Sequence, residues 1–290
     1  MSRRLALLVN PAAARGKALR AVPKVEAELK RMGTPYRVVR SDSGDHAKQL
    51  ARAMAENGEV VVAVGGDGLV GTLSGALSEC NGTLAIVPCG RGNDFARVLE
   101  IPTDPVEAAR LAAHGTERPL DVGRVDGKAF VGIASFGFDS DCNRLANETK
   151  LIRGNLVYAY SALRTLATWK YARFSISIDG EPHEFSGYSV AVANSKAFGG
   201  GMYLAPDAEL DDGKLDVVMV GEQSKWGYLR GLAKVFKGTH LEDPAVSIAR
   251  GEVVEIDADR PFTVYADGDP LAALPATVTV ARKTLRVIVP

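Results

Sequence analysis

The chain lacks the features that mark several large classes of protein. It has only three cysteines among 290 residues, Cys80, Cys89 and Cys142. Their odd number and the lack of metal-ligand spacing indicate a reducing compartment rather than a disulfide framework. No apolar run approaches the roughly 18 residues of a membrane-spanning helix. We therefore expect a cytoplasmic protein that is soluble or peripheral to a membrane.

The N-terminus also falls short of a signal peptide, although RRLALLVNPAAA combines two arginines, an apolar patch and small residues. The patch covers residues 5–9, whereas the apolar core of a signal peptide needs roughly 7 to 15 residues. A first β-strand is the better interpretation.

The chain also has no excess of positive or negative charge. The 35 Lys and Arg residues balance 35 Asp and Glu residues, which gives a formal net charge of zero at pH 7. Non-specific binding to nucleic acid depends on an overall positive field, so we expect no nucleic-acid partner. What the chain does have is length and 46% hydrophobic residues, enough for two domains with separate cores.

The apolar runs of the first part are short, rich in Val, Ile and Leu, and alternate with segments of helical spacing. The runs cover residues 5–9, 36–39, 60–64 and 84–87, and the helical segments cover 17–32, 45–57, 69–79 and 105–114. This alternation predicts a parallel sheet with helices on both faces. We expect this α/β domain to span residues 1–125.

After about residue 120 the pattern changes to strands separated by glycines. The predicted strands are 121–125, 130–135, 174–178, 188–193, 215–220, 253–256, 262–265 and 277–280, with helices at 155–171 and 225–237. The pattern predicts a mostly antiparallel β domain over residues 126–290, with a last strand that could return to the first domain.

A glycine loop ends the third strand, in the segment VVVAVGGDGLVGTLSGAL at 60–77. Gly66, Gly68 and Gly71 form G-x-G-x-x-G, but the acidic residue that a Rossmann fold needs roughly 20 residues later is missing. Glycines let backbone N–H groups approach an anion, and the following helix presents its positive end. A nucleotide phosphate is one interpretation, and a tight turn with Asp67 as helix N-cap is the other.

Three further clusters follow along the chain. PCGRGNDFARVLEIP at 88–102 repeats the strand, glycine loop and helix, so two loops would face one crevice at the carboxyl ends of parallel strands. In 194–216, three glycines are followed by Glu209, Asp211 and Asp212, which suits either Mg²⁺ or Ca²⁺ or a plain acidic turn. YADGDPL at 265–271 has the Asp-Gly pair of a hairpin turn.

Taken in order, these clusters resemble the bacterial lipid kinases of the diacylglycerol kinase catalytic family over nearly the whole chain. The matching segments are Asn10-Pro11, GGDG at 65–68, GNDFAR at 92–97, GGGM at 199–202, Asp212-Gly213 and Asp267-Gly268. VFKGTH at 235–240 and VYADGD at 264–269 look like the actinobacterial members. NAD kinases and sphingosine kinases share the GGDG loop, but GNDFAR and GGGM fit the bacterial diacylglycerol kinases better.

The resemblance implies a two-domain fold of the NAD kinase and diacylglycerol kinase type, with an N-terminal nucleotide-binding α/β domain and a C-terminal β-sandwich. ATP and lipid would meet in the cleft between them. The implied cofactors are ATP and Mg²⁺, with Asp67 near the catalytic magnesium and Asp269 as proton acceptor. The implied nucleotide-binding residues are Asn10, Pro11, Arg40, Gly65, Gly66, Asp67, Gly68, Leu69, Gly71, Arg91, Asn93 and Asp94. An accessory Mg²⁺ site would fall on Glu209, Asp212 and Lys214, with the side chain of Asp212 and main-chain carbonyls of the other two as ligands.

The chain departs from the family pattern at four positions. Leu69, Arg91 and Arg40 stand where threonine hydroxyls are expected near the nucleotide, although an arginine at 91 could clamp a phosphate instead. Asp269 replaces a glutamate, which shortens the reach of the carboxylate by roughly 1.5 Å. Three interpretations of function stay open: a diacylglycerol kinase, a kinase for another lipid alcohol, and a nucleotide- or lipid-sensing protein without turnover.

The implied partner is diacylglycerol at the inner face of the membrane. The predicted helix at 225–237 carries Trp226 and Phe236 together with several basic residues, which suits anionic lipid, but packing in the core is the favoured interpretation. Edge strands of a β-sandwich often pair between subunits, so a homodimer is a possible assembly.

Overall fold

A computed structural model of the chain describes residues 3–11, 16–149 and 156–290. The strands of the first region are β1 Leu5–Val9, β2 Tyr36–Arg40, β3 Val60–Gly65 and β4 Thr83–Pro88. Its helices are α1 Lys17–Arg31, α2 Gly44–Glu56, α3 Asp67–Ser78, α4 Asp94–Val98 and α5 Pro105–His114. The four strands lie in the order β4-β3-β1-β2, all parallel. The predicted parallel α/β region is confirmed.

Helices cover both faces of this sheet. Apolar side chains of α1 and α5 share one core with the strands, and those of α2, α3 and α4 share another. Local signals begin two of these helices. Ser43 accepts the N–H of His46 at the start of α2, and Asp104 caps α5, which has Pro105 in its first turn.

The second region is mainly antiparallel, as predicted. Its strands are β5 Thr116–Val125, β6 Lys128–Phe130, β7 Ile133–Gly137, β8 Ala172–Ile178, β9 Glu181–Ala193, β10 Ala197–Phe198, β11 Met202–Tyr203, β12 Leu215–Gly221, β13 Val246–Gly251, β14 Val253–Ala258, β15 Thr263–Ala266, β16 Asp269–Ala273 and β17 Ala276–Val289. Its helices are α6 Phe138–Glu148, α7 Leu156–Thr168 and α8 Lys225–Val235, with a 3-10 helix at Thr239–Glu242. Side chains from β8, β9, β12 and β14 pack in one shared core.

The structure differs from the sequence pattern in several elements. The single strand predicted at 130–135 is two strands, because the N–H groups of Val131 and Gly132 donate to the side chain of Asp267. Helix α6 and strands β13 and β16 were not predicted. The predicted helix start at residue 155 lies outside the described residues.

Strand β17 joins the two regions into one hydrogen-bonded sheet. Its first part pairs antiparallel with β14, most of its length pairs antiparallel with β5, and its end pairs parallel with β4 through Arg286 and Val287. The last strand therefore joins the C-terminal region to the parallel sheet of the first region. Within the described ranges, no helix has the length and apolar character needed to cross a bilayer.

Candidate active site

The two glycine loops contact each other at the carboxyl ends of β3 and β4. A Cβ on Gly66 would lie 2.8 Å from the Cα of Gly90, and a Cβ on Gly90 would lie 2.7 Å from the Cα of Gly66. Real Cβ atoms essentially never come so close to backbone, so both positions require glycine. The amide of Cys89 also donates to the carbonyl of Gly65 at 2.7 Å. The loops form one rigid surface at the sheet edge.

The carboxylate of Asp67 holds this surface together. One oxygen accepts the N–H of Asn93 and the other accepts the N–H of Asp94, each at 2.7 Å. Asn93 adopts a left-handed conformation, with φ of 51°, and its own side chain accepts the N–H of Gly90 at 2.8 Å. Asp67 lies in the first turn of α3 without capping its own helix. The prediction of Asp67 as the N-cap of α3 is therefore wrong.

Asp94 connects the loops to the glycine cluster of the second region. Its carboxylate accepts the N–H of Gly200 at 2.8 Å, and Gly200 has a left-handed φ of 88°. Burial raises the pKa of Asp94, while the N–H of Gly200 lowers it and the charge of Asp67 raises it. The carboxylates of Asp67 and Asp94 both lie beside Gly92, since a Cβ there would sit 2.9 Å from an oxygen of Asp67 and 3.1 Å from one of Asp94.

Asp267 brings the fourth cluster to the same place. Its two oxygens accept the N–H groups of Val131 and Gly132, both at 2.9 Å. A Cβ on Gly71 would lie 3.6 Å from Asp267, so the hairpin turn packs against α3. Burial raises the pKa of Asp267 to about 6, the backbone N–H groups lower it, and the charge of Asp67 raises it. The sequence indicated only a turn here, and no local signal distinguishes Asp267 from any other Asp-Gly turn residue.

Asp269, the predicted proton acceptor, begins β16 in the same hairpin and pairs in register with Ala266. Its side chain is exposed and makes no hydrogen bond or ion pair with other residues of the described ranges. The structure thus places Asp269 two residues after the structural Asp267 and leaves its carboxylate open to solvent.

The other predicted nucleotide contacts lie around the same sheet edge. Asn10 and Pro11 follow β1 directly, and Arg40 ends β2 beside Val9 in the parallel register. Arg40 is exposed. All three stand at carboxyl ends of strands, where ligands of open α/β sheets bind.

The other residues predicted in the two glycine loops are either buried in the core or exposed to solvent. Leu69 is buried and its side chain packs in the core against Gly65, so its nucleotide contact stays a prediction. Gly68 is exposed and a Cβ there would meet no atom within 4 Å. Arg91 is exposed and forms no ion pair with the described part of the chain. A ligand can therefore approach the start of α3 at Gly68, with Arg91 free to reach it.

The side chains of the predicted accessory metal residues do not converge on one point. Asp212 accepts the backbone N–H of Lys214 at 2.9 Å and its other oxygen contacts the guanidinium of Arg250. The ammonium of Lys214 lies 3.3 Å from Glu252, and Glu209 is exposed. Among the residues that the structure describes, no three acidic, histidine or cysteine side chains are grouped to hold a metal. The side chains of Glu209 and Lys214 therefore do not join that of Asp212, and the accessory magnesium, which would take main-chain carbonyls of those two residues, stays a prediction.

An apolar surface lies on helices α7 and α8. Leu163, Trp226 and Phe236 are 57%, 76% and 56% exposed. The ammonium of Lys225 donates to the carbonyl of Ala167 at 2.7 Å and so holds α8 on α7. The favoured interpretation of α8 as a core-packed helix with a solvated basic side is wrong for Trp226 and for Phe236 at the C-cap, which are exposed, because α8 buries Tyr228 and Val235 instead.

Comparison with known proteins identifies this arrangement. The model of the diacylglycerol kinase catalytic domain matches residues 4–125, and the model of the YegS C-terminal NAD kinase beta sandwich-like domain matches 132–289. A diacylglycerol kinase of Mycobacterium tuberculosis is 33% identical over 98% of this chain and 94% of its own. A Pseudomonas aeruginosa protein named probable lipid kinase YegS-like is 33% identical over 86% of this chain and 82% of its own.

A solved structure shares the fold. The crystal structure of a diacylglycerol kinase from Bacillus anthracis covers 100% of this chain and 97% of its own, with a TM-score of 0.75 and 22% sequence identity.

Proposed function

Because this chain belongs to the diacylglycerol kinase family of lipid kinases, we propose that it transfers the γ-phosphoryl group of ATP to the primary hydroxyl of diacylglycerol. The product is phosphatidate. Phosphoryl transfer depends mainly on positioning and on neutralising charge, so a rigid phosphate cradle and a few carboxylates are sufficient.

The observation that carries the proposal is the convergence of three distant clusters on the glycine loop of Asp67. Its carboxylate binds the Asn93 and Asp94 amides, Asp94 binds Gly200, and Asp267 lies close enough for its charge to interact with that of Asp67. The open start of α3 at Gly68 offers backbone N–H groups to a nucleotide phosphate. Asn10, Pro11, Arg40 and Arg91 complete the proposed nucleotide contacts.

Asp67 and Asp94 are the residues that would hold the magnesium of the nucleotide. Their carboxylates lie side by side at Gly92. Each accepts hydrogen bonds from backbone N–H groups and still has oxygen lone pairs without a partner among the described residues. Hard oxygen donors of this kind suit Mg²⁺. When bound, the ion would neutralise charge on the transferring phosphates. The chain itself contributes the fixed orientation of both carboxylates.

Asp269 is the proposed general base for the lipid hydroxyl. Its side chain is exposed and forms no hydrogen bond or ion pair within the described chain. It follows Gly268 and Asp267, and Asp267 is held by hydrogen bonds at the junction of the two regions. A carboxylate in this place can accept the hydroxyl proton as the phosphate is attacked. The shorter aspartate requires the hydroxyl to come closer than a glutamate would.

We propose that the lipid is reached at the inner face of the cytoplasmic membrane. Trp226, Phe236 and Leu163 are exposed apolar groups on α7 and α8, and α8 carries exposed basic residues at Lys225 and Arg230. Apolar side chains beside cations are the pattern of helices that lie on anionic lipid. A homodimer stays a prediction.

The test is transfer of labelled γ-phosphate from Mg-ATP to dioleoylglycerol in mixed micelles, with ceramide, sphingosine and undecaprenol in parallel. Label on dioleoylglycerol supports the proposal. Label on another alcohol alone keeps the mechanism and replaces the substrate, and no label on any lipid favours a non-catalytic protein.

Variants of the base make the assay specific. We expect Asp269→Ala to lower kcat by about 100- to 10,000-fold, which is the usual contribution of a general base. Asp269→Glu should retain activity. The matched control is Asp259→Ala, an exposed aspartate that begins no strand and lies 4.0 Å from Arg173, and it should match the parent. Near-parental activity of Asp269→Ala would contradict the assigned role.

A further inference from the structure

Arg97 lies beside the two carboxylates of the candidate site and pairs with neither of them. It is exposed and stands in the last turn of α4, three residues after Asp94. Its guanidinium donates to the carbonyl of Gly92 at 3.2 Å, and the carboxylates of Asp67 and Asp94 lie next to that same glycine. Within the described chain Arg97 forms no ion pair.

Acids and arginines at this spacing do pair in other helices of the protein. Arg31 lies 2.6 Å from Glu28 in α1. Arg144 lies 3.3 Å from Asp141 in α6. Both pairs are three residues apart, the distance at which side chains meet on one face of a helix. A guanidinium has five N–H donors, and among the described residues Arg97 gives one of them to a carbonyl. Its charge and its other donors are therefore open to a ligand.

The guanidinium of Arg97 also lies where the two regions meet. A Cβ on Gly201 would lie 3.9 Å from its Cζ and Nε atoms, and Gly201 belongs to the glycine cluster of the second region. The neighbouring Gly200 donates to Asp94 at 2.8 Å, which holds this cluster against α4. Burial raises the pKa of Asp94, and the charge of Arg97 lowers it. A ligand between the two regions would therefore have both the carboxylate and the guanidinium beside it.

We propose that Arg97 binds the phosphoryl group while it moves from the nucleotide to the lipid, an inference that rests on the proposed kinase function. The oxygens of that group carry negative charge during transfer, and the planar guanidinium fork binds two such oxygens at once. The lipid hydroxyl oxygen forms the new bond to phosphorus, the bond from phosphorus to the oxygen of ADP breaks, and Asp269 accepts the hydroxyl proton. Arg97 stays charged throughout.

This role differs from that of the other two arginines near the site. Arg40 ends β2 and Arg91 follows β4, and both are proposed contacts of the bound nucleotide. Arg97 stands farther along the chain, on α4 and against the glycine cluster of the second region. Loss of Arg91 should therefore weaken the binding of ADP, whereas loss of Arg97 should affect only the group that is transferred.

The first test measures binding without any lipid. ADP lacks the transferred group, and aluminium fluoride bound beside ADP imitates that group in transit. In calorimetric titrations with Mg-ADP, we expect Arg97→Met to bind ADP like the parent. With aluminium fluoride present, it should bind about 10- to 100-fold more weakly than the parent. Arg144→Met removes a paired arginine whose side chain is 48% exposed, and it should match the parent in both titrations.

The second test is the transfer of labelled phosphate. Arg97→Met should lower kcat by about 100- to 1,000-fold, as the loss of a donor to the transition state does, and leave the KM for ATP unchanged. Arg97→Lys keeps the charge without the fork and should lie between Arg97→Met and the parent. Arg97→Ala leaves room for a free guanidinium, so added methylguanidine should restore part of its activity. An arginine that only held the loop in place would not be replaced in this way.

Equal affinity of the parent and Arg97→Met for ADP with aluminium fluoride would overturn the inference, and so would a loss of ADP affinity as large as the loss in kcat. A parent that labels no lipid, yet needs Arg97 to bind aluminium fluoride, contradicts the proposed function and keeps the role of Arg97. A parent that labels lipid as fast as Arg97→Met does the reverse. If Arg97→Met does not fold, Arg97→Lys decides, because it should keep ADP affinity and lose affinity for ADP with aluminium fluoride.

Discussion

Replacing Asp267 by asparagine should change how the stability of this protein depends on pH. The carboxylate of Asp267 accepts two backbone N–H groups at the start of the second region, from Val131 and Gly132, and the charge of Asp67 acts on it. Burial at this junction raises its pKa to about 6. In the unfolded chain an aspartate titrates near 3.9.

The sign of the effect follows from these two values. A folded pKa above the unfolded one means that the folded state takes up the proton first as the pH falls. The stabilisation is therefore fully present below about pH 4 and is lost as the pH rises through about 6. A gap of about two pKa units corresponds to about 3 kcal/mol in the free energy of unfolding.

Asparagine does not titrate, so Asp267→Asn removes this dependence. Its amide turns an NH₂ group toward one of the two backbone N–H groups, which costs about 1–3 kcal/mol at every pH. At about pH 7 the variant also escapes the buried charge, so its stability should approach that of the parent. At about pH 4 it should be less stable by about 3 kcal/mol more than at pH 7.

The assay is urea unfolding of parent and variant at several pH values between these limits. The difference between the two free energies matters, because other groups titrate equally in both proteins. Asp259→Asn, at an exposed site, is the control and should show a constant difference from the parent. A carbon-13 NMR titration of the Asp267 carboxyl gives its pKa directly. A constant difference for Asp267→Asn, or a carboxyl that titrates near 4, would refute the reasoning.

Two further predictions concern the glycine loops and the membrane surface. Gly90→Ala places a Cβ 2.7 Å from the Cα of Gly66 and should lower the free energy of unfolding by about 1–3 kcal/mol. In Gly68→Ala the new Cβ meets no atom within 4 Å, so the variant should be as stable as the parent. It should bind nucleotide more weakly in a calorimetric titration. Equal stability of the two variants would contradict the contact between the loops. Trp226→Ser should reduce co-sedimentation with anionic vesicles severalfold and leave the unfolding temperature unchanged, because its side chain is 76% exposed; a change in unfolding temperature without one in vesicle binding would contradict a membrane role.

Local patterns predicted the parts of the fold that depend on local physics. Short runs of Val, Ile and Leu became β1 to β4, and segments of helical spacing between them became α1 to α3. The glycine loops were recognisable because each follows an apolar strand and precedes a helix start, although the pattern alone also suits a tight turn. The strand predicted at 130–135 failed, because its middle N–H groups bind Asp267, more than 130 residues away.

The candidate site shows the same division. The sequence pointed to Asp67, Asn93 and Asp94 as a group, and the structure joins them by hydrogen bonds. It gave no indication that Asp267 is a structural acceptor beside them. It also gave no indication of Arg250, since a cluster of acids carries no mark of the arginine that will contact Asp212.

The sequence by itself determined β1 to β4, α1 to α3 and the position of the glycine turns, because these depend on neighbours along the chain. The order of its motifs also determined to which family the chain belongs. Only the tertiary structure decided which partner each carboxylate takes. Asp67 binds the neighbouring loop, Asp267 binds Val131 and Gly132, and Asp216 faces Arg250. These partners meet through the pairing and register of strands far apart in the chain, and burial then makes each unpaired charge too costly to leave without a partner.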